Sequence, residues 1–185
     1  YWTIIFPKNL FDLNTFQLFS NTIYLVFLSS IVLVVFSFIS NYGNRVTKSK
    51  FLNFLTTFSI TGYAIPGVIL AVAFITFIAW FDNTFVKAFE FNSIKKIFIG
   101  SIFGLVIVYF IRFYSLAYNG LKTGYERINR SIDESSYLLG YSKIKTFLGI
   151  HVPYLKNSVF LIGILITIEV IKELPITLIL RPFNF

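Results

Sequence analysis

Long apolar runs separated by short polar ones set the pattern of this chain. Leu13 to Asn44 carries no charge, and its most apolar part, Ile23 to Ile39, predicts a first membrane helix. Phe51 to Phe81 is also uncharged and predicts a second. That run opens on Thr56-Thr57 and Thr61-Gly62, and Pro66-Gly67 follows. Proline removes a backbone hydrogen bond inside a span, so a kink or a late helix start is expected near Pro66. Ile97 to Asn119 predicts a third helix with Arg112 as its only charge. Tyr154 to about Ile171 predicts a fourth, interrupted by Glu169, Lys172 and Glu173 and ended by Pro175. A helix rises about 1.5 Å per residue, so roughly 20 residues cross the hydrocarbon. The fourth segment only just reaches that length.

The longest polar stretch is 121–153, between the third and fourth spans. Glu134-Ser135-Ser136, Gly140, Ile150 and Pro153 stand in it with the spacing Glu-x5-Gly-x9-Ile-x2-Pro. Ser131 is a candidate helix cap, with Glu134 completing a capping box. Ile128, Ile132 and Leu139 are expected on one helical face, away from Arg127, Arg130 and Glu134. Gly140 suits a left-handed helix end. A second helical piece is expected from Ser142 to Ile150, stopped by Pro153. A helix, a glycine turn and a helix hung between two membrane spans can fit a groove on a partner. Taken by spacing alone, the stretch is equally an ordinary solvated loop.

Composition agrees with the pattern. Of 185 residues, 56% are hydrophobic and only 13% charged, against roughly a quarter charged in soluble domains. A soluble core could not absorb 24 Phe and still leave a polar surface. The expected fold is all-α, a polytopic transmembrane helical bundle forming a single domain over 1–185, with the loop at 121–153. With no Cys, disulfides and thiolate metal sites are excluded. With no Met and Tyr1 at the start, the sequence reads as a fragment incomplete at its ends.

The net charge of +8 is carried in the loops, which favours membrane orientation over nucleic acid as the explanation. Arg45, Lys48, Lys50, Lys122, Arg127, Arg130, Lys143 and Lys145 fall on one side of the four spans. Lys8, Lys87, Lys95, Lys96 and Arg181 fall on the other. The richer side, which includes 121–153, is expected to be cytoplasmic.

Arg112 is expected about 22 Å into its helix, in the cytoplasmic half. An ion pair or a snorkelling contact is one role for it, and a translocation pathway the other. Glu169 is expected in the outer half, too far in depth to pair with Arg112. Glu169 and Lys172 can meet on one helix face, with Glu173 facing elsewhere. Glu169, Lys172 and Glu173 are also candidates for a translocation path, since an intramembrane carboxylate is a functional hypothesis. His151 has no second nitrogen or sulfur ligand near it in sequence, so no metal site is expected. Trp2 and Trp80 read as interfacial anchors. No nucleophile–base pair stands out, and no Gly-Lys-Ser/Thr phosphate loop is present, so any ATP hydrolysis falls to another chain.

The loop resembles the Glu-Ala-Ala loop of ABC-transporter import permeases, with Ser135 and Ser136 in place of both alanines. Lys172 to Phe185 resembles a stretch of ferric-iron import permeases, with Ile176 where alanine is usual. Gly62 to Gly67 and Tyr109 to Phe113 resemble other segments of the same proteins. The resemblance implies the core of a type I ABC importer permease, and matches the second half of chains that usually carry two. It implies that Glu134, Ser135, Ser136, Gly140, Ile150 and Pro153 couple to a cytosolic ABC ATPase dimer. It also implies a periplasmic or extracellular substrate-binding protein, a second permease half and a bacterial inner-membrane location. No cofactor is expected on this chain, since ATP is used by the partner. Ferric iron is the expected cargo, with thiamine, a polyamine or sulfate as alternatives. A membrane scaffold without transport is the reading from another class, and an intramembrane enzyme a third.

Overall fold

The computed structural model describes residues 13–47, 50–88 and 101–181, and all regular structure in them is helical. α1 spans Leu13–Thr47 and α2 spans Lys50–Ile60, followed by a short 3-10 turn at Thr61–Ala64. α3 spans Gly67–Ala88, α4 Ile102–Glu126, α5 Arg130–Leu138 and α6 Lys143–Thr146. A π turn at Phe147–His151 leads into α7, Val152–Lys172, and α8 spans Leu174–Leu180. Four segments are long and apolar enough to cross a membrane: Phe16–Thr47, Gly67–Thr84, Ile102–Glu126 and Lys143–Lys172.

α1, α4 and α7 pack against one another, and α8 lies along α3. Leu33, Leu105, Tyr109, Phe113 and Ile166 fill the centre and are almost fully buried. Ser30 and Asn41 of α1 make hydrogen bonds to neighbouring helices. Ser30 Oγ lies 3.1 Å from Thr167 Oγ1. Asn41 Nδ2 donates to the carbonyls of Ser37 (2.9 Å) and Tyr118 (3.1 Å). Phe19, Phe27, Phe160 and Leu161 face outward, as expected where the surrounding medium is hydrocarbon.

α4 and α7 approach closely at two glycines. A methyl group on Gly120 would stand 2.2 Å from Ile162 Cδ1, and one on Gly124 would stand 3.1 Å from Leu155 Cδ2. The spacing of Gly120 and Gly124 is the small-residue signature of membrane helix pairs.

The structure bears out two expected breaks and corrects two boundaries. The run Phe51 to Phe81 is broken near Pro66 as expected: α2 ends at Ile60, and the span restarts at Gly67. Proline fixes its own φ and disfavours helix in the residue before it, so the break falls at Ile65, which is extended (φ −81°, ψ 127°). α4 continues to Glu126, into the stretch expected to be loop, because Leu121, Gly124 and Tyr125 still have a face to bury. Pro153 does not stop a helix: it sits in the first turn of α7, directly after the π turn. Proline is tolerated at such a start, and the π turn has already interrupted the regular hydrogen-bond ladder. The fourth span ends at Lys172, ahead of Pro175 as expected, with the break itself at Glu173 (φ −82°, ψ 75°), and Pro175 then opens α8. Lys8, Lys48, Lys95, Lys96, Trp2 and 182–185 lie outside the described residues.

Candidate functional site

The loop between α4 and α7 is a built element. Asn129, not Ser131, caps α5: its side-chain oxygen accepts from the Ser131 amide at 3.2 Å. Asn129 has the extended backbone a cap requires, whereas Ser131 is already inside the helix. At the far end Gly140 has φ +81°. The Tyr141 amide donates to Ser136 O and the Gly140 amide to Tyr137 O, both at 3.0 Å. This pair of bonds is the Schellman closure, and only glycine enters its left-handed position without strain. Ser142 caps α6 by accepting from the Lys145 amide at 3.3 Å.

Asp133 anchors this element to the rest of the molecule. Its Oδ2 accepts from Arg45 Nε at 2.6 Å, and its Oδ1 lies 2.7 Å from His151 Nε2. Arg45 also donates to the carbonyls of Tyr125 (3.1 Å), Ile128 (2.8 Å) and Asn129 (3.0 Å). One side chain of α1 therefore holds the end of α4, the connecting turn and the first turn of α5. The rings of Tyr42 and Tyr125 stand 5.0 Å and 5.6 Å from His151, which is fully buried. Tyr42 Oη donates to Lys143 O at 2.6 Å, tying α1 to α6 as well. An ionised Asp133 only accepts, so Nε2 carries the His151 proton. The Asp–His pair is closed off by Arg45 and two tyrosines, and no hydroxyl is bonded to His151 among the described residues. That geometry fits a structural clamp, not an acid–base centre.

The sequence-predicted residues divide into two sets. Ser135, Ser136 and Ile150 line one cleft of about 460 Å³, with Ile132, Leu139 and Tyr141. Ser136 is buried and fixed: its Oγ donates to Asp133 O at 2.8 Å and lies 2.8 Å from Thr146 Oγ1. A small residue is required there because α6 packs on it. Glu134, Gly140 and Pro153 are exposed, and Glu134 has no ion pair among the described residues. Of the expected face of Ile128, Ile132 and Leu139, the last two share the cleft and Ile128 leaves it. Ile128 is buried before the helix starts, while Leu138 and Leu139 are 88% and 77% exposed at its end. The helix is too short to bury an apolar stripe against the bundle, so those side chains point away from it.

Glu169, Lys172 and Glu173 lie far from this loop. Lys172 Nζ pairs with Glu169 Oε1 at 2.7 Å on the α7 surface. Glu173 instead pairs with Arg112, whose Nε is 3.0 Å from Glu173 Oε2. Arg112 lies about 15 Å from the start of α4 and about 21 Å from its end at the usual helical rise, nearer mid-span than expected. The difference arises because α4 starts at Ile102 and runs on to Glu126. Arg112 Nη1 also donates to Ile65 O. No cluster of three metal-binding side chains exists among the described residues.

Sequence reasoning missed Arg45, Asp133, Tyr42 and His151 as a unit. Asp133 sits beside Glu134, and His151 beside Ile150, but contacts across 88 and 18 positions leave no periodic signal.

No protein of curated function matches this chain. The profile of the binding-protein-dependent transport system inner membrane component matches residues 33–181. That match covers α2 to α8 and the C-terminal part of α1 from residue 33, and the four apolar spans agree with a multi-pass membrane protein. The chain therefore belongs to the family of inner-membrane permease components of binding-protein-dependent ABC importers.

Proposed function

We propose that this chain is the permease subunit of an ATP-driven importer of ferric iron, with 121–153 as its cytoplasmic coupling loop in a bacterial inner membrane. The observation that carries the coupling role is the presentation of α5. Its Leu138 and Leu139 are exposed beside the Gly140 turn, while Asp133 on the opposite face is clamped to Arg45 and His151. A rigidly held element with an uncovered apolar end suits docking into a groove on a cytosolic ABC ATPase dimer. Glu134, Ser135 and Ile150 surround the cleft beside that end or lie next to it, and Pro153 opens the membrane helix that would receive the motion.

A substrate-binding protein on the other side would deliver cargo, and a second permease half would complete the pathway. ATP binding would move α5, and the bundle would exchange outward and inward arrangements. Glu169 and Lys172 are bonded to each other on an outer face and Glu173 to Arg112. Structural pairing accounts for all three better than direct contact with cargo. The iron assignment rests on the resemblance of Lys172 to Phe185.

Uptake by the complete transporter tests both parts. Deleting the gene should abolish ferric-iron accumulation. Unchanged iron accumulation with lost uptake of thiamine, a polyamine or sulfate would transfer the machinery to that cargo. Replacement of Gly140 by Trp should uncouple ATP hydrolysis from uptake. Intact ATPase binding and coupling in that variant would remove the role of the loop and favour a scaffold.

A further inference from the structure

Two helices are broken inside the bundle, and both breaks meet one side chain. The first lies at 61–66, between α2 and α3, and the second at Glu173, between α7 and α8. A helix break leaves backbone groups unbonded, which is costly wherever water is absent. Arg112 of α4 contacts both, bonding a freed carbonyl only at the first. Its Nη1 donates to Ile65 O, and its Nε donates to Glu173 Oε2 at 3.0 Å. Arg112 and Glu173 side chains are 18% and 10% exposed.

The surroundings are shaped to the same junction. A methyl group on Gly62 would lie 2.1 Å from Ile111 O, so the first break rests directly on the α4 backbone. A methyl group on Gly67 would lie 2.1 Å from Glu173 Oε1. The start of α3 thus sits on the carboxylate of the second break. One turn before Arg112, Tyr109 Oη lies 2.5 Å from Thr177 Oγ1, and Thr177 donates to Glu173 O at 2.5 Å. α4 runs unbroken from this junction to Glu126, where Arg45 holds its end. A shift of α4 therefore reaches both breaks through Arg112.

The geometry points to Arg112 as a positioning residue that makes the two helix breaks change together during transport. It touches backbone at one break and the break residue's own carboxylate at the other. Loss of the guanidinium frees each break to open independently. A planar fork with separate nitrogens is needed for two partners in different directions, so an ammonium is a poor replacement.

Hydrogen–deuterium exchange on the assembled transporter in nanodiscs tests the linkage. Pro66→Ala perturbs the first break, and exchange is read at the amides of Glu173, Leu174, Ile176 and Thr177. Thr177→Val perturbs the second, and exchange is read at 61–65. With Arg112 present, each perturbation should change exchange at the other break by a factor of about 2 to 30, the range for coupling carried by packed networks. In an Arg112→Gln background the cross-effect should fall below about twofold, in both directions by reciprocity. If Arg112→Gln fails to assemble, Arg112→Lys keeps the charge and should still lose most of the cross-effect. Cross-effects absent with Arg112 present, or equally large without it, overturn the proposal. None of these readouts uses ATP, so a failure at the coupling loop would leave them unchanged.

Discussion

Asp133 Oδ2 accepts from Arg45 Nε at 2.6 Å, joining α5 to α1 across 88 positions of sequence. Both side chains are 11% exposed, and the same carboxylate holds His151. Removing one partner of a buried pair leaves an uncompensated charge and costs about 3–5 kcal/mol. Asp133→Ala should therefore lower the thermal midpoint of the detergent-solubilised protein substantially. Asp133→Asn keeps an acceptor and should lower it less. Equal midpoints for Asp133→Ala and the parent protein would show that the clamp carries no stability.

Gly140 tests conformation separately from contact. Nothing lies within 4 Å of a methyl group added there, yet its φ is +81°. Gly140→Ala should cost about 1–2 kcal/mol through the left-handed backbone alone. Gly140→Asn should cost less, because asparagine visits that region more readily. A thermal melt with Asn no better than Ala would place the cost elsewhere.

The glycines of the bundle give a graded series. Gly62→Ala meets the rigid Ile111 carbonyl, whereas Gly120→Ala meets the mobile end of Ile162. Gly149→Ala meets nothing within 4 Å. Assembly yield should be lowest for Gly62→Ala and intermediate for Gly120→Ala. Gly149→Ala should be near parent or higher, since alanine stabilises a helix over glycine by roughly 1 kcal/mol. A reversed order would mean the close approaches do not control packing.

Two ion pairs near the end of α7 should respond differently. Glu173→Ala strips Arg112 of its counter-charge inside the bundle, where an unpaired arginine costs roughly 2.5–3.5 kcal/mol on insertion scales. Lys172→Ala breaks only a solvent-facing contact with Glu169. Membrane-inserted protein should therefore fall for Glu173→Ala and stay unchanged for Lys172→Ala. Comparable losses for both would show that Lys172 carries more than a surface pair.

Much of the fold was legible in the chain. Apolar runs predicted four membrane spans because hydrocarbon tolerates few charges, and that constraint acts on every residue of a span. Pro66 announced a late helix start, Gly140 a left-handed turn, and Glu169 with Lys172 a local pair. Each of these follows from a residue's own backbone or its nearest helical neighbours. Pro153 misled, since proline is as comfortable opening a helix as ending one. The difference depends on whether a later segment has a surface to pack on.

The sequence by itself determined the all-helical membrane class and the spacing of the polar loop, through hydropathy and local backbone preference. Only the tertiary structure decided which charges meet. Arg45 finds Asp133, and Arg112 selects Glu173 and the Ile65 carbonyl over Glu169. Those choices depend on where α4 starts and how two broken helices cross it. A side chain reaches only a few ångströms, so depth and crossing angle, absent from any local pattern, determine its partner.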